Sequence, residues 1–132
     1  MKAVLKFDGG SRGNPGPSAC AYEIDFDGEK ICKGILLGEA TNNYAEWMGL
    51  LNGLEELAKK TNPKKTDLEI FSDSELVVRQ VQARYKVKSP NLIPLHKKTM
   101  EILNRFNSYK INHYKREHNE VCDLKVNEVL DS

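Results

Sequence analysis

The spacing of apolar residues in this chain changes near residue 42. Before that point, apolar and polar residues alternate, which is typical of strands with one buried face. After it, apolar residues recur at steps of three and four from Asn43 to Lys60, the period of an amphipathic helix. The chain is therefore predicted to combine strands and helices, with a β-rich start before the first helix.

The same reading, carried to the end of the chain, predicts nine elements in the order βββαβααβα. The predicted strands are Lys2–Asp8, Ser18–Phe26, Glu29–Leu37, Asp67–Phe71 and Tyr109–Lys115. The predicted helices are Asn43–Lys60, Ser72 to about Gln82, Asn91 to about Phe106 and Asn119 to about Leu130. Because the later strand–helix–strand crossovers need parallel neighbours, we expect an α/β fold with a five-stranded mixed sheet and helices on both faces.

Length and charge narrow the class of protein. The 132 residues are enough to bury one core, and no linker or repeat interrupts them, so a single domain over residues 1–132 is expected. Apolar stretches are short and the first residues do not form a signal peptide, so we expect a cytoplasmic monomer without membrane contact. The net charge of +1 excludes a global basic surface, so any nucleic-acid contact must rest on local patches.

The three cysteines are expected to be free thiols. Cys20 and Cys32 lie on the two strands of a hairpin that turns at Asp27-Gly28. That turn pairs Glu23 with Cys32, which puts Cys20 and Cys32 on opposite faces of the sheet. Free thiols indicate a reducing compartment, and a packing role is the more common one.

Four acidic residues occupy strand ends or helix first turns. Asp8 ends the first strand and Asp73 directly follows the fourth, so their carboxylates meet if those strands are parallel neighbours. Glu46 lies in the first turn of the long helix, and Asp123 lies about one turn inside the last helix. A carboxylate at a buried strand end is unfavourable unless it is paired or binds a metal, and Arg12 is the only near partner in sequence for Asp8.

These placements also have a purely structural interpretation. Asn43 with Glu46 and Ser72 with Glu75 both fit the capping box. An acidic residue near a helix N-terminus is in any case favoured by the helix dipole. Taken singly, Glu46 and Asp123 are therefore more often structural than functional.

Four segments together resemble the signature segments of type 1 ribonuclease H, in order and over essentially the whole chain. The segments are Phe7–Gly16, Thr41–Glu46, Phe71–Ser74 and His118–Asp123. The resemblance implies the ribonuclease H-like fold, which agrees with the predicted order of elements. It also implies four catalytic, metal-binding carboxylates: Asp8, Glu46, Asp73 and Asp123.

The resemblance implies endonucleolytic hydrolysis of the RNA strand of an RNA–DNA hybrid, using two divalent ions about 3.5–4 Å apart. One ion would generate the attacking hydroxide and the other would stabilise the departing 3′ oxygen. The products would carry 5′-phosphate and 3′-hydroxyl ends. All-oxygen ligands select Mg²⁺, with Mn²⁺ as a substitute, over zinc.

The resemblance assigns the reading of RNA 2′-hydroxyls to Asn14, Asn42 and Asn43, whose amides can donate and accept hydrogen bonds. Without the resemblance, Asn14 is better interpreted as part of a turn and Asn43 as a helix cap. Thr41 occupies the position that touches a DNA phosphate in the family. Tyr85 lies in the one basic stretch with an aromatic residue, which is either a track for the DNA strand or a solvated helix end.

Two positions depart from the family pattern. The family often carries a histidine on a flexible loop about ten residues before the last aspartate, whereas His118 lies only five residues before Asp123. His118 either serves catalysis from a shortened loop or simply precedes a helix cap at Asn119. At Leu124-Lys125 the family usually has a polar residue followed by an apolar one, and here the order is inverted. Position 125 lies toward the buried stripe of the helix, where an apolar residue is expected. Either the lysine stem is buried with its charge outside, or this helix is rotated or frayed.

Three rival functions fit part of the pattern. A resolvase or integrase core on the same fold would act on DNA, and the three asparagines argue against it. A non-catalytic hybrid-binding module would not need four converging carboxylates, whose repulsion is unfavourable without metal. A nucleotide-phosphate loop at residues 9–16 would lack the lysine and the following helix of a P-loop. The ribonuclease H interpretation is therefore preferred.

Overall fold

The computed structural model describes residues 1–132. Its strands are β1 (Lys2–Ser11), β2 (Gly16–Phe26), β3 (Glu29–Ala40), β4 (Asp67–Ser72) and β5 (Ser108–His113). Its α-helices are α1 (Asn42–Lys60), α2 (Glu75–Val81), α3 (Ile93–Leu103) and α4 (Glu120–Asp131). Two short 3-10 turns, at Pro63–Lys65 and Arg116–Asn119, precede β4 and α4. The predicted order of elements is confirmed.

All five strands form one sheet in the order β3-β2-β1-β4-β5. The β1–β2 and β2–β3 pairs are antiparallel, whereas β4 runs parallel to both β1 and β5. The mixed sheet expected from the crossovers is therefore confirmed. Glu23 lies opposite Cys32, as expected, so Cys20 and Cys32 are on opposite faces and all the cysteines are free.

The first three strands extend further toward the glycine-rich loop than predicted. Ser11 pairs with Ser18, and Gly16 pairs with Ala40. These pairings are made by small residues that the alternation of apolar side chains does not mark, so the pattern ended the strands too early. As a result, Asp8 lies inside β1 rather than at its end.

Helices cover both faces of the sheet. On one face, α1, α2 and α3 share the main core, in which Trp47 is the largest fully buried side chain. On the other face, α4 packs through a small cluster of short side chains: Ala19, Ala21, Cys122 and Val126. None of the four helices combines the length and the apolar character needed to span a membrane.

The helix caps differ from the predicted ones. Thr41, not Asn43, caps α1, and its hydroxyl accepts a hydrogen bond from a backbone N–H of the first turn at 3.2 Å. Ser74, not Ser72, caps α2 in the same way. Asn119 makes no side-chain cap at the start of α4. Both predicted capping boxes and the predicted Asn119 cap were therefore wrong. The side chains of Asn43 and Asn119 are left for other contacts.

Helix α1 lies very close to β1 because each element places a glycine against the backbone of the other. A β-carbon added at Gly9 would lie 2.2 Å from the carbonyl carbon of Ala45, and one at Gly49 would lie 2.7 Å from the carbonyl oxygen of Asp8. Only glycine permits so close an approach of two backbones. The contact holds the first turn of α1, which carries Glu46, against the strand that carries Asp8.

For Leu124-Lys125 on α4, the structure agrees with the expectation of a buried lysine stem and an exposed charge. Leu124 is 61% exposed. The stem of Lys125 lies against Gly34 of β3, and its ammonium group pairs with Glu128 at 3.2 Å. The helix is continuous from Glu120 to Asp131, and Asp123 lines the cleft described below.

Candidate active site

A cleft of about 540 Å³ opens at the edge of the sheet beyond the paired part of β1 and β4. Its walls are the glycine-rich end of β1, the first turn of α1, the segment after β4 and one side of α4. The four acidic residues singled out in the sequence all line it: Asp8, Glu46, Asp73 and Asp123. The fold thus brings together carboxylates from four elements that are far apart in the chain.

The register of β1 and β4 explains why two of these carboxylates meet. The last ladder pair joins Lys6 to Phe71. Two further residues along each strand place Asp8 level with Asp73, because parallel neighbours advance together. The expected meeting of the two aspartates at one sheet edge is confirmed.

Burial and crowding change the acidity of the cluster. Burial and then the charge of Asp73, with smaller contributions from the other two carboxylates, raise the pKa of Asp8 from 3.8 to about 8. Burial and the charge of Asp73 raise the pKa of Glu46 to about 7. Burial also raises the pKa of Asp73. Such a cluster is unfavourable when fully charged, and it points to a site for a cation or for proton transfer.

Asn119 is a positioning residue that connects three parts of the site. It is 1% exposed, and its Nδ2 donates to the carbonyl of Phe7 at 2.8 Å. Its Oδ1 accepts from the hydroxyl of Tyr114 at 2.6 Å. A hydrogen bond from Asn119 also lowers the pKa of Asp73, against the effect of burial. It therefore ties the start of α4 to β1 and to the end of β4, a role that its prediction as a cap missed.

Sequence reasoning also missed two other residues of the cleft. A hydrogen bond from Ser74 lowers the pKa of Glu46, against the effect of burial. Arg116 lies in the 3-10 turn before α4, and its Nη2 is 3.8 Å from Oδ1 of Asp123. Ser74 belongs to a signature segment and could have been singled out, whereas no motif marked Arg116.

The donor set of the cleft fits a divalent cation. It offers four carboxylates and no histidine or cysteine, which suits Mg²⁺ or Mn²⁺. The pKa of Asp8 is raised by burial first and by repulsion second, and a cation would offset both by favouring the charged carboxylate. As the side chains lie, no three of them surround a single ion position. Ion binding would therefore require some of these side chains to change position.

Two of the three predicted asparagines line the cleft, and hydrogen bonds orient the amides of Asn14 and Asn42. Asn42 and Asn43 line the cleft. Asn42 Oδ1 accepts from the backbone N–H of Ser11 at 2.8 Å, and Asn14 Oδ1 accepts from the backbone N–H of Asn42 at 3.1 Å. With both oxygens engaged, the Nδ2 groups of Asn14 and Asn42 are the ones left to donate to a ligand.

Four predicted residues, Asn14 among them, do not line the cleft. Thr41 caps α1 beside it. Tyr85 is exposed in the segment after α2, at the end of that helix away from the cleft. His118 lies in a second depression beside Tyr114, with the two ring centroids 6.0 Å apart. Arg116, rather than His118, is the basic residue that this turn places in the cleft.

The raised pKa values predict how stability depends on pH without metal. A carboxyl group whose pKa is higher in the folded state stabilises the fold while it is protonated, and this contribution is lost as pH rises through the folded-state value. For Asp8, this loss of stability extends from pH 3.8 to about pH 8. With divalent ions chelated, Tm should therefore fall as pH is raised from about 5.5 to about 8.5. Asp8→Asn should raise Tm at the upper end and flatten the profile.

Calorimetric unfolding scans across this pH range, in the presence of a chelator, would make the measurement. Asp25→Asn is the matched control, because Asp25 is exposed on the neighbouring strand. A wild-type Tm independent of pH, or an equal flattening in the control, would contradict the assignment of the effect to the cleft.

The sheet order and the carboxylate cleft define a protein of the ribonuclease H-like fold. A family model described as reverse transcriptase-like matches residues 7–129. Ribonuclease HI of Halobacterium salinarum is 37% identical over 127 residues, which cover 95% of this chain and 62% of that protein. The crystal structure of RNase H1 from the same archaeon matches with a TM-score of 0.90 at 35% identity, over 99% of this chain and 98% of that one. The chain belongs to the type 1 ribonuclease H family.

Two further relatives widen the comparison. LC11-RNase H1, isolated from compost by a metagenomic approach, was solved in complex with an RNA/DNA hybrid. It matches with a TM-score of 0.89 at 36% identity, over 98% of this chain and 96% of that one. A bifunctional protein of Mycobacterium tuberculosis is 35% identical over 135 residues, which cover 100% of this chain and 36% of that protein. The chain thus spans about a third of the length of this mycobacterial relative.

Proposed function

We propose that residues 1–132 form a catalytic domain that cuts the RNA strand of RNA–DNA hybrids endonucleolytically. The observation that carries this proposal is the cleft in which four carboxylates meet beside amide donors of fixed orientation. Carboxylates suit the cations that phosphodiester hydrolysis uses, and amide donors suit the reading of a 2′-hydroxyl. Relatives named ribonuclease HI, and one solved with an RNA/DNA hybrid, support the same function.

We infer that two divalent cations, Mg²⁺ or alternatively Mn²⁺, are held by Asp8, Glu46, Asp73 and Asp123. When bound, such ions favour loss of a proton from the attacking water and stabilise the departing 3′ oxygen, leaving 5′-phosphate and 3′-hydroxyl ends. The chain itself supplies the positions of the ligands. Asn119 ties the start of α4 to β1 and β4, and Ser74 hydrogen-bonds Glu46.

The asparagines would select the RNA strand through the oxygen of its 2′-hydroxyl. The oxygens of both amides already accept backbone N–H groups, so the Nδ2 groups of Asn14 and Asn42, which are donors, are left for the ligand. A ribose offers the 2′ oxygen as an acceptor, whereas a deoxyribose offers nothing at that position. Asn43 lines the same side of the cleft and would extend this contact along the RNA strand.

The DNA strand would be held by contacts that do not read its bases. The hydroxyl of Thr41 accepts a backbone N–H and can still donate to a phosphate. Tyr85 is 48% exposed within a segment that also carries Arg84, Lys86 and Lys88. Phosphate contacts of this kind weaken steeply as salt is raised. Cleavage should therefore become slower at high ionic strength through weaker binding.

A series of hybrids with a shrinking ribonucleotide run tests the proposed function. If the asparagines donate to 2′ oxygens, each deoxyribonucleotide near the cut removes a hydrogen bond worth about 0.5–1.5 kcal/mol. Loss of two or three such bonds should slow cleavage by about one to three orders of magnitude. The measurement is the cleavage rate of a labelled strand, from an all-RNA strand to a single ribonucleotide.

Duplex DNA and duplex RNA serve as control substrates, each with and without Mg²⁺. Duplex DNA should not be cut, and the hybrid should be cut only when the cation is present. Rates that do not depend on the ribonucleotide run, or equal cutting of duplex DNA, would favour a resolvase-like nuclease on the same fold.

A further inference from the structure

Two arginines line the carboxylate cleft, and they differ in what they contact. Arg12 Nη1 lies 2.6 Å from Asp131 Oδ1, and its Nη2 donates to Asn127 at 3.4 Å. It is therefore engaged with the last turns of α4. Arg116 pairs only with Asp123, at 3.8 Å, and its side chain is 83% exposed. Its charge is thus directed at the catalytic carboxylates alone.

The influence of Arg116 extends beyond its nearest partner. Its charge lowers the pKa of both Glu46 and Asp73, against the effect of burial. One exposed guanidinium therefore favours the charged forms of two carboxylates and lies 3.8 Å from a third. Ion pairs this exposed contribute only about 0–1 kcal/mol to the free energy of folding. A divalent cation can therefore replace the guanidinium at little cost.

We propose that Arg116 is the exchangeable counter-ion of the cleft. It neutralises part of the carboxylate charge in the metal-free protein and competes with an entering divalent cation for Asp123. Because two cations at one carboxylate repel each other, occupancy by the ion releases the guanidinium to the open side of the cleft. This inference rests on the proposed function, since it presupposes that the cleft binds divalent cations.

The arrangement of the side chains supports the exchange. No three carboxylates surround one ion position as they lie, and Asp123 is the one paired to a basic residue. A purely structural arginine would instead be expected to hold Asp123 in a position ready for the ion.

Titration calorimetry of Mn²⁺ into the protein without nucleic acid tests the proposal. Arg116→Met removes the charge and keeps an unbranched side chain, so it should tighten Mn²⁺ binding by about two- to fivefold at low salt. Arg116→Lys keeps the charge and should stay near the wild-type affinity. The gain in Arg116→Met should shrink between about 0.05 M and about 0.5 M salt, because exposed charges are screened.

Lys115→Met is the matched control, because Lys115 is exposed next to Arg116 but does not line the cleft. It should change the Mn²⁺ affinity by less than Arg116→Met does. Equal effects of the two variants, or unchanged or weaker binding in Arg116→Met, would overturn the proposal. Failure of the Arg116 proposal would leave the proposed function intact, provided that the wild type binds Mn²⁺ and cuts hybrid. A wild type that binds no Mn²⁺ would overturn both.

Discussion

Replacing Asp73 with asparagine is expected to abolish cleavage while hybrid binding survives or tightens. Asp73 lies level with Asp8 where the paired part of two parallel strands ends, and Asn119 lowers its pKa against the effect of burial. The amide keeps the shape of the side chain but loses the charge that a cation requires. The rate should fall by at least about a hundredfold, or about 2.7 kcal/mol. Removing one negative charge from a cleft that faces phosphates favours binding.

Single-turnover cleavage rates, with hybrid affinity measured separately by fluorescence anisotropy, would distinguish the two effects. Glu75→Gln is the matched control, because Glu75 is exposed two residues further on and does not line the cleft. It should cut at close to the wild-type rate. If Asp73→Asn retained more than about a tenth of that rate, a loss under 1.4 kcal/mol, Asp73 would not be a metal ligand.

Gly9→Ala is expected to destabilise the protein and to impair the cleft together. The added β-carbon would meet three backbone atoms, the carbonyl carbon and oxygen of Ala45 and the N of Glu46, at 2.2, 2.3 and 2.4 Å. Backbone atoms cannot rotate away as a side chain can, so α1 must move off β1. The free energy of unfolding should fall by about 3 kcal/mol, which lowers Tm by roughly 10 °C in a chain of this size. The shift of Glu46 should also lower the rate of the folded protein.

Gly10→Ala is the matched control for stability. Its β-carbon would lie 3.7 Å from a methyl group of Val126, which is ordinary contact. Thermal unfolding of both variants should show a large loss for Gly9→Ala and almost none for Gly10→Ala. Equal Tm values would mean that the close approach of α1 to β1 is not needed to hold the fold.

The sequence by itself determined the class of fold and the acidic half of the site. Hydrophobic period distinguishes strand from helix, and crossover connections require parallel neighbours, so the mixed sheet followed without coordinates. The register of β1 and β4 then confirmed that Asp8 and Asp73 meet. The signature segments singled out the four carboxylates, although their roles as ligands and the reading of RNA by the asparagines stay predictions.

Only the tertiary structure decided the contacts that join segments distant in the chain. The alternation of apolar residues does not indicate pairings between small residues, such as Gly16 with Ala40, so the predicted strand ends were misplaced. Several polar residues can cap a helix, and the chain's path into α1 selected Thr41 over Asn43. The entry of Arg116 into the cleft, in place of the expected His118, depends on how the turn before α4 packs. Local pattern reports which face of an element is buried, but which side chains meet is set by packing between elements.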